Sequence, residues 1–189
     1  MTRIAPVDAP SERSQKLLAG VQAKLGITPN MLSTMAHSAA ALDGYLSFSN
    51  ALSKGELSGS VREQIALAVG QANSCQYCLS AHSAIGKMVG LTADQIRDAR
   101  RSKSDASKTD AILKLATRIV ETRGKLSDED ISAAKIIGVT DAEIAEVVAN
   151  TALNLFTNYF NHVAETEVDF PAAEELQEAS ETCNTGCHA

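Results

Sequence analysis

An all-α fold is what this sequence predicts, and three observations carry the prediction. Apolar residues recur at three- and four-residue intervals, and no segment sustains the period-two alternation of a half-buried strand. No proline occurs between Pro29 and Pro171, so nothing in that span interrupts a helix by removing an N–H or clashing with the preceding turn. Ser, Thr or Asp stands ahead of most periodic runs and glycine follows several, the usual start and stop signals of helices. Aromatic residues are few and tryptophan is absent, so the core is expected to be Ala, Leu, Ile and Val, as suits close-packed helices. At 189 residues the chain is long enough for one domain that buries about 70% of its unfolded surface. That single helical domain is placed at 1–175, with a reactive core of about 40–172 and a C-terminal tail at 176–189.

In chain order, residues 1–10 form an arm containing Pro6 and Pro10. A first helix is expected from Ser11 to about Leu25, with Leu17, Leu18, Val21 and Leu25 on its apolar stripe. Thr28-Pro29 reads as an N-cap followed by proline at the first helical position, opening a short helix through PNMLSTMAHS. A helix over roughly 38–53 carries Leu42, Tyr45, Leu46, Phe48 and Leu52 and stops at Gly55. Ser58 or Ser60 caps the next segment, which runs to Leu91 with a polar break at Asn73-Ser74. Thr92-Ala-Asp-Gln95 fits a capping box and starts a short helix through Arg100. After a polar stretch, a helix over about 107–123 places Ile112, Leu115, Ala116 and Ile119 at helical spacing and ends at Gly124. Ser127 to Asp130 caps another that ends at Gly138, and Thr140 or Asp141 caps a last long helix through about Glu165.

Charge and hydropathy narrow the partners. The net charge of -6 gives no basic footprint for nucleic acid or an anionic membrane. No apolar run approaches the ~18 residues of a membrane span, and the opening residues MTRIAPVDAP are too polar for a secretory signal. The expected location is therefore cytoplasmic, where thiols are kept reduced and a cysteine pair is redox-active or metal-binding rather than a structural staple.

The chemistry concentrates in Ser58–Leu91. Cys75 and Cys78 form a Cys-x-x-Cys, His82 follows four residues later, and Glu63 precedes them. If the second helix begins at Ser74, Cys75 lies in its first turn, where free N–H groups and the dipole favour a thiolate. Cys78 and His82 then share its face, because residues three and four apart are helix neighbours. The i,i+3 spacing puts the cysteine alpha carbons roughly 5 Å apart, within the span of a disulfide. Three readings of the pair stay open at this point: a redox couple, half of a zinc site, or two small buried hydrophobes. Zinc needs four ligands, and Cys75, Cys78 and His82 supply at most three. Glu63 likewise has a plain alternative, since Ser60-Val-Arg-Glu63 fits a capping box. His82 alone could be a satisfied interior histidine, and Tyr77 either core or a hydroxyl offered to a pocket.

The stretch REQIALAVGQANSCQYCLSAH resembles the alkyl hydroperoxidase D-like group of the carboxymuconolactone decarboxylase superfamily. Glu63, Cys75, Cys78 and His82 match the group's reactive pattern, and NYFNHVAETEVDFP near 158–171 is similar to its peroxidase-related branch. Tyr77 departs from members that have histidine between the cysteines. The resemblance implies a helical homo-oligomer that reduces hydroperoxides with no metal or prosthetic group. In it Cys78 would attack the peroxide, Cys75 would close the disulfide, and His82 and Glu63 would carry protons. A dithiol or protein-thiol reductant, of lipoyl type in some relatives, would reopen the disulfide. The dipole alone favours Cys75 as the more acidic thiol, whereas the imidazole one turn away and the family favour Cys78. A non-catalytic helical module with a zinc-binding or redox-sensing Cys/His site is the alternative.

Two features fall outside that pattern. The tail ETCNTGCHA carries Cys183, Cys187 and His188, which read as a second redox relay, a resolving pair, metal ligands, or idle thiols. Folded back to Cys75, it would bring four thiols and two histidines together. Glu143 and His162 repeat the spacing of Glu63 and His82, an echo that would record a duplicated helical unit.

Overall fold

The computed structural model describes residues 2–176. Among them the chain forms nine α-helices and no strand: α1 Glu12–Leu25, α2 Asn30–Met35, α3 Ala39–Leu52, α4 Gly59–Ala72, α5 Gln76–Met88, α6 Ala93–Arg100, α7 Ser107–Thr122, α8 Asp128–Ile136 and α9 Asp141–Ala164. The fold is all-α, in a single domain. Tail residues Cys183, Cys187 and His188 lie outside the described residues.

Capping chemistry sets most of these boundaries. Ser11, Ser38 and Ser58 each accept a backbone N–H of the following first turn. Thr92–Gln95, Ser127–Asp130 and Thr140–Glu143 are reciprocal capping boxes. One start differs from the sequence reading, and one is decided between its two candidates. Pro29, not Thr28, occupies the N-cap of α2, and the Thr28 hydroxyl instead donates to Gln22 Oε1 at 2.8 Å. Ser58 rather than Ser60 caps α4, which moves Glu63 beyond the N3 position and removes its capping role. Phe48, expected on the apolar stripe of α3, is 39% exposed; Leu42 alone of that helix is fully buried.

The helix at the centre is α4. Gln64 to Gly70 are seven consecutive buried residues, so α4 has no solvent face and packs against α5, α6, α7 and α9. Ile65, Leu67 and Val69 join Ile112, Leu113, Leu115 and Val147 in one core. A second core gathers Val21, Met31, Leu32, Met35 and Leu42 with Cys75, Tyr77 and Cys78. The cysteines therefore sit in the smaller core, against α1, α2 and α3. The N-terminal arm is held there too, with the Arg3 and Ile4 N–H groups on Ala164 O and Val7 N–H on Ser33 O.

The echo does not survive in three dimensions. Glu143 and His162 lie in the first and last turns of one continuous helix, about 28 Å apart at 1.5 Å per residue. Glu143 serves its capping box and an ion pair with Lys108 at 2.8 Å. Glu63 and His82 belong to different helices and touch.

The entrance to α4 depends on α9. Glu146 accepts the Glu56 and Leu57 N–H groups at 2.7 and 3.0 Å. The chain passes this carboxylate at Gly55, where a Cβ would overlap it. Replacing Glu146 by Ala should cost about 1–3 kcal/mol in urea denaturation, because the Leu57 N–H loses its acceptor. Glu146→Gln, which keeps one amide oxygen, should cost less.

Candidate functional site

The site is built at the reversal between α4 and α5. Asn73 ends α4, Ser74 adopts the left-handed region at φ 54°, and two hydrogen bonds close the turn. Ser74 N–H reaches Gln71 O at 3.0 Å and Cys75 N–H reaches Gly70 O at 2.9 Å, the Schellman pattern that satisfies the last carbonyls of a helix. Cys75 becomes the N-cap of α5, one residue ahead of the first turn where the sequence had placed it. Its Sγ accepts the Cys78 N–H at 3.3 Å, taking the part a serine oxygen plays at other helix starts. Cys75 and Cys78 are joined in a disulfide with alpha carbons 5.3 Å apart. Both are buried, at 1% and 2% exposure.

Glu63 and His82 meet across the α4–α5 interface. Glu63 Oε2 lies 2.7 Å from His82 Nδ1, with the two side chains 18% and 21% exposed. A carboxylate on Nδ1 holds the proton at that nitrogen and leaves Nε2 to exchange a proton. His82 and Cys78 line the same cavity of about 70 Å³ with Tyr45, Tyr77, Met31 and Phe170; Cys75 is not among its walls. A second cavity of about 300 Å³ shares Tyr45, His82 and Thr157 and adds Glu63 and Arg62. Burial, reinforced by the nearby Glu63 charge, pushes the Tyr45 hydroxyl up to about 12, so it stays protonated on these walls. A groove of about 730 Å³ between α7 and α8 has no cysteine or histidine in its lining.

Tyr77 belongs to the core and to the pocket wall together. Its hydroxyl accepts the Met31 N–H at 3.2 Å, and its ring meets Phe170 edge-on with centroids 5.8 Å apart. Burial raises its pKa, the Met31 N–H opposes the shift, and Asp169 adds to it. Tyr77 therefore remains neutral and ties α5 to α2.

Two residues of the site were not singled out by sequence. Asn158 Nδ2 donates to Cys78 Sγ at 3.0 Å and Asn161 Nδ2 does so at 3.3 Å. Asn73, at the reversal, donates to Asn158 Oδ1 at 2.9 Å and so fixes that amide. The available signal was a polar stripe: Asn150, Asn154, Asn158 and Asn161 recur at helical spacing and all are buried. The first two donate to carbonyls of their own helix. The last two turn to sulfur. Amide N–H groups aimed at Sγ favour the thiolate of the reduced form. Cys75, Cys78 and His82 thus come together as their spacing suggested, and Glu63, which only the resemblance had grouped with them, joins through His82. Among the described residues no group of three or more His, Cys, Asp or Glu is assembled that could hold a metal ion.

Fold and site together define a class: an all-helical protein with a buried Cys-x-x-Cys beside a carboxylate–imidazole pair. A profile of the carboxymuconolactone decarboxylase family matches residues 32–122. A peroxidase-related protein from Ralstonia eutropha JMP134, described as an alkylhydroperoxidase AhpD core, is similar at 26% identity and a TM-score of 0.76. The match covers 88% of this chain and 93% of that one. A peroxidase-related protein from Silicibacter sp. TM1040 is similar at 25% identity and 0.75, over 87% and 91%. The debrominase Bmp8, in complex with 2,3,4-tribromopyrrole, shares the fold at 17% identity and 0.75, over 89% and 92%. No curated protein matches the chain. Residues 32–122 thus carry the carboxymuconolactone decarboxylase family pattern, on a fold shared with AhpD-like, peroxidase-related proteins.

The Asn158 contact predicts a measurable effect. In the reduced protein, Asn158→Ala should slow alkylation of Cys78 at neutral pH by roughly tenfold, the scale of one hydrogen bond of about 1.5 kcal/mol to a charged group. Its pH profile should move upward, because the variant needs a lower proton concentration to form the thiolate. An unchanged profile would mean that the amide only packs.

Proposed function

We propose that the protein is a thiol-dependent peroxidase that reduces hydroperoxides through Cys78 and Cys75. The observation that carries this reading is the asymmetry of the pair: Cys78 lines the cavity beside His82 and receives two amide N–H groups, and Cys75 does neither. Cys78 is thus the attacking sulfur, although the helix start had favoured Cys75.

The Cys78 thiolate attacks the distal oxygen of the hydroperoxide. The O–O bond breaks, the alkoxide or hydroxide leaves, and His82 delivers its proton while Glu63 stabilises the imidazolium. Cys78 is left as a sulfenic acid. Cys75 then attacks that sulfur and water leaves, giving the disulfide. A dithiol reductant returns both thiols, which fits a reducing compartment such as the cytoplasm. No helix among the described residues is long and apolar enough to cross a membrane.

Turnover should fall by roughly 10²-fold or more in Glu63→Gln and comparably in His82→Ala, the scale of a lost acid–base group. The double variant should fall by less than the product of the two, because residues acting in one relay are not additive. Glu63→Gln should leave stability within about 1 kcal/mol, since the amide still offers an oxygen to His82. Full peroxide turnover in Glu63→Gln would remove the carboxylate from the chemistry.

The same reading includes a symmetric homo-oligomer. The outward side of α9 leaves Val148, Phe156, Tyr159 and Val163 exposed at helical spacing, an apolar stripe of the kind that self-association covers. Sedimentation at micromolar concentration should show an assembly larger than one chain; a monomer there would count against it.

A further inference from the structure

The side of α5 turned away from the disulfide borders a separate cavity. Cys78, Ala81, His82 and Ile85 line the cavity on one side of the helix. Ser83, Ala84, Lys87 and Met88, offset from them around its circumference, border another of about 330 Å³, which α6 and the segment after α9 complete. That segment leaves α9 at Glu165 and runs without helix or strand over 166–176. It is tied to α5 by the Ala173 N–H, which donates to Ser80 Oγ at 3.2 Å. No residue lines both this cavity and the one beside Cys78.

Charge sets this cavity apart. Lys87, Arg97 and Arg100 stand on its walls against one carboxylate, Glu174, in a chain whose net charge is -6. Arg100 is 7% exposed. Its guanidinium donates to Gln71 Oε1 at 2.9 Å and to the backbone oxygen of Glu174, and both acceptors are uncharged. The Glu174 carboxylate turns to Arg97, at 3.7 Å, and among the described residues no carboxylate lies within ion-pair distance of Arg100 or Lys87. Burial and the neighbouring Arg101 lower the Arg100 pKa, and the Glu174 charge opposes them. A guanidinium does not shed its proton in proteins, so the cost of burying this charge is met only by a counter-charge. The C-terminal end of α6 supplies partial negative charge there and no full one.

The rest of the wall sets the shape of what binds. Ala84, Met88, Ile96, Pro171 and Ala172 offer carbon to an apolar chain. The volume of about 330 Å³ equals about eleven waters at ~30 Å³ each, several times the room of an inorganic anion. Small-molecule sites combine apolar walls of this kind with a few convergent charges. We propose that this cavity binds an amphipathic carboxylate, with an apolar chain of about eight carbons against its walls and the carboxylate at Arg100 and Lys87. The ligand supplies the full negative charge that Arg100 lacks, and its chain covers part of Met88, which is 77% exposed. The site is independent of the disulfide chemistry, because neither cysteine touches it.

Calorimetric titration of the full-length protein with octanoate tests the proposal. Saturable one-to-one binding with a Kd below about 1 mM is expected for a ligand of this size. Octanamide keeps the chain and loses the charge, and inorganic phosphate keeps charge without the chain; each should bind at least about tenfold more weakly. Arg100→Gln should weaken octanoate by roughly tenfold or more, the scale of a lost charge-assisted hydrogen bond. Where that variant does not fold, Lys87→Gln/Arg97→Gln, altered at more exposed positions, decides: octanoate should bind about threefold more weakly or worse, with circular dichroism unchanged. Absence of saturation would overturn the proposal. So would octanamide or phosphate binding as tightly as octanoate, or an octanoate affinity unchanged in every variant that folds.

Discussion

The burial of α4 on all sides is the constraint on which the rest depends. A helix without a solvent face needs apolar neighbours around its whole circumference, and α5, α6, α7 and α9 supply them. Each fully buried Leu, Ile or Val contributes about 1.5–3 kcal/mol, so the Ile65–Val69 stretch gives this arrangement a large part of its driving force. The same burial fixes what α4 carries at its edges. Glu63, just before the buried run, faces His82 on α5. Gly70, at its end, takes the Cys75 N–H and so sets the start of α5.

That start explains why two cysteines three residues apart are not equivalent. Cys75 is spent on the helix cap, its sulfur turned to the Cys78 N–H. Cys78, one turn in, projects to the seam between α5 and α9, where a cavity and two amide donors meet it. A dipole argument ranks them by distance from the helix end. The contacts rank them the other way, because direct N–H donors in a dry site act more strongly on a sulfur than a diffuse terminal field.

The last helix and the segment after it complete the walls of the site. α9 presents amides to Cys78 from its buried face and an apolar stripe from its outer one. The segment 166–176 puts Phe170 on the cavity wall and is tied to Ser80 and Arg100, close to the cysteine pair.

Local chemistry was legible in the residues themselves. Capping boxes at Thr92, Ser127 and Thr140, the break at Asn73-Ser74 and the 107–123 amphipathic stripe all depend on neighbours within four positions, and the helices form where those signals lie. The Cys-x-x-Cys spacing and His82 on the same helix belong to this class, as short-range geometry. Glu63 was ambiguous because its alternatives, cap or partner, differ only by which serine begins α4, and Ser58 against Ser60 is decided by how Glu146 anchors the preceding loop. Asn158 and Asn161 lie 80 and 83 residues from Cys78, and no local rule brings them to it. Only the packing of α9 against α4 and α5 decides that. A stripe of buried asparagines states that polar partners exist somewhere; the tertiary structure alone names the sulfur.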